Sequence, residues 1–426
     1  MSITHKQLKN GMNVMLVPQN GVASMTVMAF ARVGSRYETK EINGASHFVE
    51  HLMFKGTKRR PNTLALTKEL DRYGAEFNAF TSKDLTAYYI KMDAQHTALA
   101  VDLLHDMLFH SLYDPAEIDR ERGVIIEEIN MYEDNPRTQM EDLLEEVLYP
   151  ESTLGWNIAG PREVIKKITR EQLTSYRDRY YVPSRMTVVV AGKIVPGVWK
   201  MLEQTFGTVK APNKLEDTAF APFIAPKKLV EAVDFRQKKT EQVQLGMAFH
   251  GIPYTDKQIP ALSLLSTILG GTMSSRLFIE VRERRGLCYS ISAGHQPFED
   301  TGMFVVAAGL PPNRLKEAIK VIKQELRKIT KDLVTAEELR RAKDHIRGKL
   351  TLAFEDPAAQ ADWFGKQWVF QKKTLSPEER LRAIERVKPA EIREIAKKIF
   401  RPAAMSAALV GPFEKKKDIE DLFVNG

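Results

Sequence analysis

The chain has a single cysteine, Cys288, among its 426 residues. One cysteine closes no intramolecular disulfide and builds no cysteine-based zinc site, so any bound metal must be held by histidine and carboxylate. The same scarcity fits a reducing compartment. No uninterrupted apolar run is long enough to cross a bilayer, and no membrane span is expected. The opening stretch Met1–Leu8 is polar; it lacks the apolar centre of a secretory signal and the Arg-rich amphipathic pattern of a transit peptide, so a cytoplasmic location is the expectation. The net charge of +8 is not gathered into an aromatic-basic module. Lys and Arg are interspersed with Asp and Glu, the excess reads as solvated surface, and neither nucleic acid nor membrane is expected as a partner.

What is present is the balance of a soluble globular protein, 43% hydrophobic and 28% charged, at a length that suits two or three domains. Asn13–Pro18 and Ser24–Phe30 read as adjacent strands across a turn at Gln19-Asn20-Gly21. Thr63–Tyr73 reads as a helix ended by Gly74, and Glu76–Thr81 and Ala87–Met92 as strands. Two helices follow, Thr97–His110 and Pro115 to about Tyr132, the second opened by proline. Met186–Gly192 is a further strand, followed by a helix near Val195–Phe206. From 210 to 228 a Pro-rich stretch without helical or strand period reads as a linker, dividing the chain into domains 1–209 and 229–426.

The second half repeats the first. Tyr180–Gly192 matches Ile399–Gly411 without a gap, an offset of 219 residues from Tyr180 to Ile399. Met28-Ala29-Phe30 matches Met247-Ala248-Phe249 at the same offset, and Pro115–Arg120 pairs with Thr335–Arg340 at nearly the same one. Each half is expected to be an α+β domain, a mainly antiparallel sheet with helices packed on one face.

The chemistry lies in Gly44–Thr57. In a helix, His47 and His51 are one turn apart on one face with Glu50 beside them, so two imidazoles and a carboxylate converge. The order H-x-x-E-H inverts the commoner H-E-x-x-H of zinc proteases and is the inverzincin signature. Aligning this helix with Ala261–Gly271 puts Ser263, Ser266 and Thr267 where His47, Glu50 and His51 stand, so the second copy cannot hold metal in this way. Catalytic zinc takes three protein ligands. The helix after Pro115 offers Glu121 and Glu128, two turns apart on one face, with Glu127 rotated roughly 100° off it. Spacing leaves open which of the pair touches metal.

These motifs resemble the pitrilysin, insulin-degrading enzyme and mitochondrial processing peptidase family, in which H-x-x-E-H is followed by one glutamate and, seven residues later, a ligand glutamate. The resemblance spans nearly the whole chain. It implies His47, His51 and Glu128 as ligands of one Zn²⁺ per chain, Glu50 as general base and Glu121 as the supporting carboxylate. Asn78-Ala79-Phe80 resembles the edge strand that pairs with substrate. Arg282 and Tyr289, in Arg282-Glu283-Arg284-Arg285-Gly286-Leu287-Cys288-Tyr289, resemble the pair that contacts substrate near the scissile bond. The resemblance further implies a zinc endopeptidase acting on peptides or short unfolded segments. Larger relatives enclose substrate between four such domains; with two, a homodimer chamber is expected, or a heterodimer with a related inactive subunit, Arg282 and Tyr289 acting in either the same chain or the partner. The alternative is a non-catalytic partner or assembly subunit of the same fold. His and Glu ligands also accept cobalt or manganese. The acidic run Glu141–Glu146 is read as ordinary surface.

Overall fold

A computed structural model of the chain describes residues 3–212, 219–224, 232–415, 419 and 422–423. Of the linker read at 210–228, residues 213–218 and 225–228 lie outside the described residues. The chain forms two compact units, each assembled from three segments: Met1–Ile129, Asn157–Ala221 and Thr351–Ser376 in the first, Asn130–Trp156, Pro222–Leu350 and Pro377–Gly426 in the second.

The first unit contains strands β1 (Thr4–Gln7), β2 (Asn13–Pro18), β3 (Ser24–Ala31), β4 (Glu76–Thr81), β5 (Thr86–Asp93) and β6 (Met186–Gly192), ordered β1-β2-β6-β3-β5-β4. All neighbours are antiparallel except β2 and β6. Inward side chains such as Val27, Ala29, Val188 and Val190 pack on Phe48, Val49, Leu104 and Ile125 from helices on one face. The alternate side chains Met28, Phe30, Val189 and Ala191 are also buried, against Ala361, Phe364 and Val369 of the helix Pro357–Gln371. Coverage of both faces explains why Met186–Gly192 is apolar throughout and not alternating. Gly365 permits this helix to lie close: a Cβ there would stand 2.0 Å from the Phe30 ring.

The second unit contains β7 (Ala232–Gln237), β8 (Val243–His250), β9 (Ser290–Pro297), β10 (Gly302–Leu310) and β11 (Ser406–Gly411), ordered β7-β11-β8-β10-β9 with β7 and β11 parallel. This is the first sheet's topology without its β1. Helices cover one face, and Pro136–Leu148, from the N-terminal half of the chain, covers the other through Met140 and Leu144 against Ala248 and Val410. The acidic run lies on this helix, with Leu143 and Leu144 turned inward, Glu141 paired with Arg137 and Glu146 paired with Arg236.

The duplication is visible in side-chain direction, and there it corrects one sequence match. Val188 and its counterpart Ala407 both face inward, Val189 and Ala408 both outward, so the offset of 219 holds for β6 and β11. Met28 faces outward and Met247 inward. Val188 pairs with Ala29 and Ala407 with Met247, so Ala29 is the true counterpart of Met247. The shared Met-Ala-Phe is a coincidence one residue out of register, and a slip of one turns every strand side chain to the opposite face.

Gly44 caps the helix Ala45–Leu52 with φ +101, and a Cβ there would stand 2.6 Å from the carbonyl oxygen of Ala159. Gly44→Ala combines left-handed backbone with a clash against backbone, and is expected to lower unfolding free energy by roughly 2–4 kcal/mol. A urea midpoint unchanged from wild type would show that this junction relaxes freely.

Candidate metal centre

The helix Ala45–Leu52 buries Ala45, Ser46, Phe48, Val49 and Leu52, which leaves His47, Glu50 and His51 on its remaining face. Its N-terminus has no side-chain cap of its own, because Gly44 holds the cap position. Glu38, buried, supplies one from upstream: its carboxylate accepts the backbone N–H groups of Gly44 (2.8 Å) and Ser46 (2.7 Å) and the Asn43 side-chain amide (2.8 Å). Burial outweighs these hydrogen bonds and pushes the Glu38 carboxyl up to about 7.

The helix Pro115–Asp134 presents Glu121 and Glu128 from one face, while Glu127 is exposed. Glu128 Oε2 lies 3.5 Å from His47 Nε2 and 3.5 Å from His51 Nε2, and the two Nε2 atoms are 3.2 Å apart. A metal about 2.1 Å from each of three tetrahedral donors requires donor separations of roughly 3.4 Å, so this triangle has the dimensions of a zinc site. It is the one such group of His, Cys, Asp and Glu donors among the described residues. Two neutral imidazoles and one carboxylate are a borderline-hard set that suits zinc.

Glu121 stands behind the triangle. Its Oε2 is 3.0 Å from His51 Nδ1 and its Oε1 2.5 Å from Lys55 Nζ, so it fixes the orientation of the His51 ring, as second-shell carboxylates do. Burial would raise the Glu121 carboxyl, but His51 and Lys55 outweigh it and hold the group below its usual range. Burial, with help from His51, pushes His47 down to about 4; burial also acts downward on His51, but Glu121 and Glu128 raise it to about 9. Without metal, the centre therefore keeps one proton on His51, which a metal must displace.

Glu50 is not part of the donor triangle. Burial raises its carboxyl, and Thr81 Oγ1 donates to its Oε2 at 2.5 Å. Thr81 closes β4, so the strand that carries Asn78, Ala79 and Phe80 also steadies Glu50. That strand is the sheet's edge, with Asn78 exposed and Ala79 buried. Thr81, Lys55 and Glu38 were not singled out by spacing in the sequence; each acts through a contact between segments that periodicity does not register.

Arg282 and Tyr289 belong to the second unit. The six-residue π-helical turn Phe278–Glu283 carries Arg282 to 4.7 Å from the Phe278 ring and 5.5 Å from the Tyr289 ring. Tyr289 is 73% exposed, so it is no core aromatic. In the same unit the helix Ile259–Gly270 repeats the burial of the metal helix, with Ala261, Leu264, Leu265 and Ile268 in the places of Ala45, Phe48, Val49 and Leu52. Ser263 and Thr267, at the positions of the two histidines, hydrogen-bond back to Ile259 and Ser263 carbonyls of their own helix, each at 2.9 Å.

Comparison with known proteins gives two family matches. Residues 14–162 match the Insulinase (Peptidase family M16) model and residues 167–346 the Peptidase M16 inactive domain model. An uncharacterized zinc protease of Bacillus subtilis is 35% identical over 404 residues, covering 95% of this chain and 97% of the relative. One from Streptomyces coelicolor is 33% identical over 423 residues, covering 98% and 91%. Among solved structures, a protease from Helicobacter pylori superposes with TM-score 0.91 at 23% identity, covering 96% of this chain and 99% of that one. A putative M16-like peptidase from Alicyclobacillus acidocaldarius gives 0.86 at 20%, covering 97% and 98%. At those identities the structures share the fold and carry no more than that.

Proposed function

The chain belongs to peptidase family M16, and from that premise we propose that it is a zinc-dependent endopeptidase cleaving peptides or short unfolded segments. The observation that carries this reading is the triangle of His47, His51 and Glu128 donors, 3.2 to 3.5 Å on a side, with Glu50 beside His51 in the same helix. His47, His51 and Glu128 would hold one zinc per chain. Zinc bound there supplies Lewis-acid polarisation of a peptide carbonyl and brings the pKa of water toward neutrality.

Glu50 takes a proton from the attacking water and returns it to the leaving amine. Thr81 holds the carboxylate in place for both transfers, and Glu121 keeps the His51 ring turned so that Nε2 faces the donor triangle. Substrate adds to the edge of β4 as an extended strand, bound through backbone at Asn78, Ala79 and Phe80. Arg282 and Tyr289 donate hydrogen bonds to the developing oxyanion or a neighbouring carbonyl. Two repeats make half of a chamber, so the working form is a homodimer, or a heterodimer with a related inactive subunit.

The rival reading, a non-catalytic partner subunit, is disfavoured by the intact donor set. Ser263, Ser266 and Thr267 in the second repeat illustrate what loss of that set looks like. Among the described residues no helix is long and apolar enough to cross a membrane.

Removal of metal by a strong chelator should abolish cleavage of a mixed peptide library, and stoichiometric zinc should restore it. The metal should also raise the thermal midpoint, because it binds the folded state alone. Full cleavage by protein shown to be metal-free would overturn the assignment.

A further inference from the structure

In the second repeat the position of the metal centre has been rebuilt with the opposite electrostatic preference. Side-chain burial sets the two helices one residue on from the sequence pairing of Pro115–Arg120 with Thr335–Arg340, so that Leu339, Ala342 and Ile346 follow the inward positions of Ile118, Glu121 and Ile125 and Ala342 stands where the first repeat has Glu121. On the same register Lys349 replaces Glu128. The histidines are replaced by Ser263 and Thr267, so every acidic or imidazole donor of the centre is gone from its place.

A guanidinium has come in instead. Arg380, on the helix Pro377–Arg386, reaches Ser263 Oγ at 3.4 Å. Among the described residues that is its one hydrogen bond and it has no ion pair, so its charge faces no described carboxylate. Burial alone acts on it and pushes its pKa down. His295 of β9 is near enough for the Arg380 charge to add to burial in pushing the imidazole down to about 4, which leaves a neutral ring at physiological pH. Sheet register makes His295 the counterpart of Thr81: Ala79 pairs with Tyr88, Ala293 pairs with Val306, and Tyr88 and Val306 are equivalent through Ala29 and Met247. Thus the residue that braces Glu50 in one repeat is an imidazole beside Arg380 in the other.

Ser263, His295 and Arg380 are each half-buried, so the cluster reaches solvent. Ser263 and Thr267 are a turn apart on one helix face, and Thr267, though none of Ser263, Arg380 and His295, lines a neighbouring cavity of about 370 Å³ together with Ala342, Arg341 and His345. The space lies where the shorter Ala342 side chain replaces a glutamate. Of the two acids there, Glu338 is held in a bidentate pair by Arg276, and Asp344 is exposed.

We propose that Arg380, Ser263 and His295 form a carboxylate-binding site at the second repeat's former metal position, which takes a carboxylate of a bound peptide. A lone guanidinium with a hydroxyl and a neutral imidazole suits a planar, singly charged anion, which it can engage with two parallel N–H donors. Recognition of a carboxylate follows from the site itself, whereas its being a peptide's rests on the peptidase reading.

The test uses full-length, chelator-treated protein, in which cleavage cannot intervene, and fluorescence anisotropy of three labelled peptides of one neutral sequence. One carries a free C-terminal carboxylate, one a C-terminal amide, and one an amide with a single glutamate inside. Wild type should bind at least one carboxylate-bearing peptide about tenfold more tightly than the neutral amide. A preference confined to the first identifies the chain terminus as ligand, and one shared with the third a side chain. Arg380→Gln should remove the preference and Arg380→Lys retain part of it, with unfolding midpoints measured alongside. Equal binding of all three peptides by wild type overturns the proposal even if the variants fail to fold, and so does a folded Arg380→Gln that still discriminates. Carboxylate preference in a protein that cuts no peptide with zinc restored would sink the peptidase reading and leave the anion site standing.

Discussion

Glu50→Gln is expected to lower peptide hydrolysis by about 10²–10⁴-fold while leaving zinc content unchanged, the range typical of removing a general base. The two halves of this expectation have separate origins. Glu50 lies outside the triangle formed by His47, His51 and Glu128, so the amide takes no donor from the metal. Glutamine has the volume of glutamate and its carbonyl oxygen still accepts the Thr81 hydroxyl, so the strand end stays where it is. What disappears is the ability to take up a proton. Metal analysis by mass spectrometry and initial rates on a mixed peptide library read the two halves apart. A variant that binds zinc and cuts at the wild-type rate would remove Glu50 from the mechanism. If wild type and variant both bind zinc and neither cuts, the partner-subunit reading prevails.

Much of this centre was legible in sequence because its geometry is local. His47 and His51 share a helix face by spacing alone, and Glu121 with Glu128 share another, with Glu127 exposed as a rotation of roughly 100° requires. Strand limits at Asn13–Pro18 and Met186–Gly192 were set by turn residues and apolar runs, which are local too. The resemblance was needed to choose Glu128 over Glu121, since a helix face does not say which carboxylate meets metal and which meets a histidine's far nitrogen. Less legible were features made by segments distant in the chain. Pro357–Gln371 covers the first sheet and Pro136–Leu148 the second, and neither periodicity nor composition assigns a helix to a particular sheet. The out-of-phase Met28 match shows the same limit at one-residue scale: identity of residues did not encode the face they occupy, whereas cross-strand pairing does. Glu38 is the strongest instance, a carboxylate with no motif of its own that governs the start of the metal helix.

Titration of Glu38 is expected to make the wild type lose stability relative to Glu38→Gln as pH rises from about 4.5 to about 7. The folded carboxyl is raised to about 7 against a reference of 4.5, chiefly by burial. Below 4.5 both the folded and the unfolded chain hold the proton and no difference arises. Between the two values the folded chain retains a proton that the unfolded chain has released, so unfolding free energy falls as pH rises; above 7 the penalty is complete and constant. The separation between 4.5 and about 7 corresponds to about 3 kcal/mol. Glutamine does not titrate, and its amide nitrogen cannot accept from Gly44 or Ser46, so one of the two backbone donors loses its acceptor at every pH. Glu38→Gln should therefore be the less stable protein in acid, with its deficit shrinking or reversing by pH 8. Urea unfolding of both metal-free proteins at pH 4.5, 6 and 8 measures this, because the histidines of the centre titrate in both and cancel in the difference. Parallel pH profiles would mean that the Glu38 carboxyl titrates alike in the folded and unfolded chain. Its three-donor cradle would then offset burial fully, and the start of the metal helix would be held by a permanent carboxylate. Profiles that converge as described make the anchor of His47 and His51 a group half protonated near neutrality.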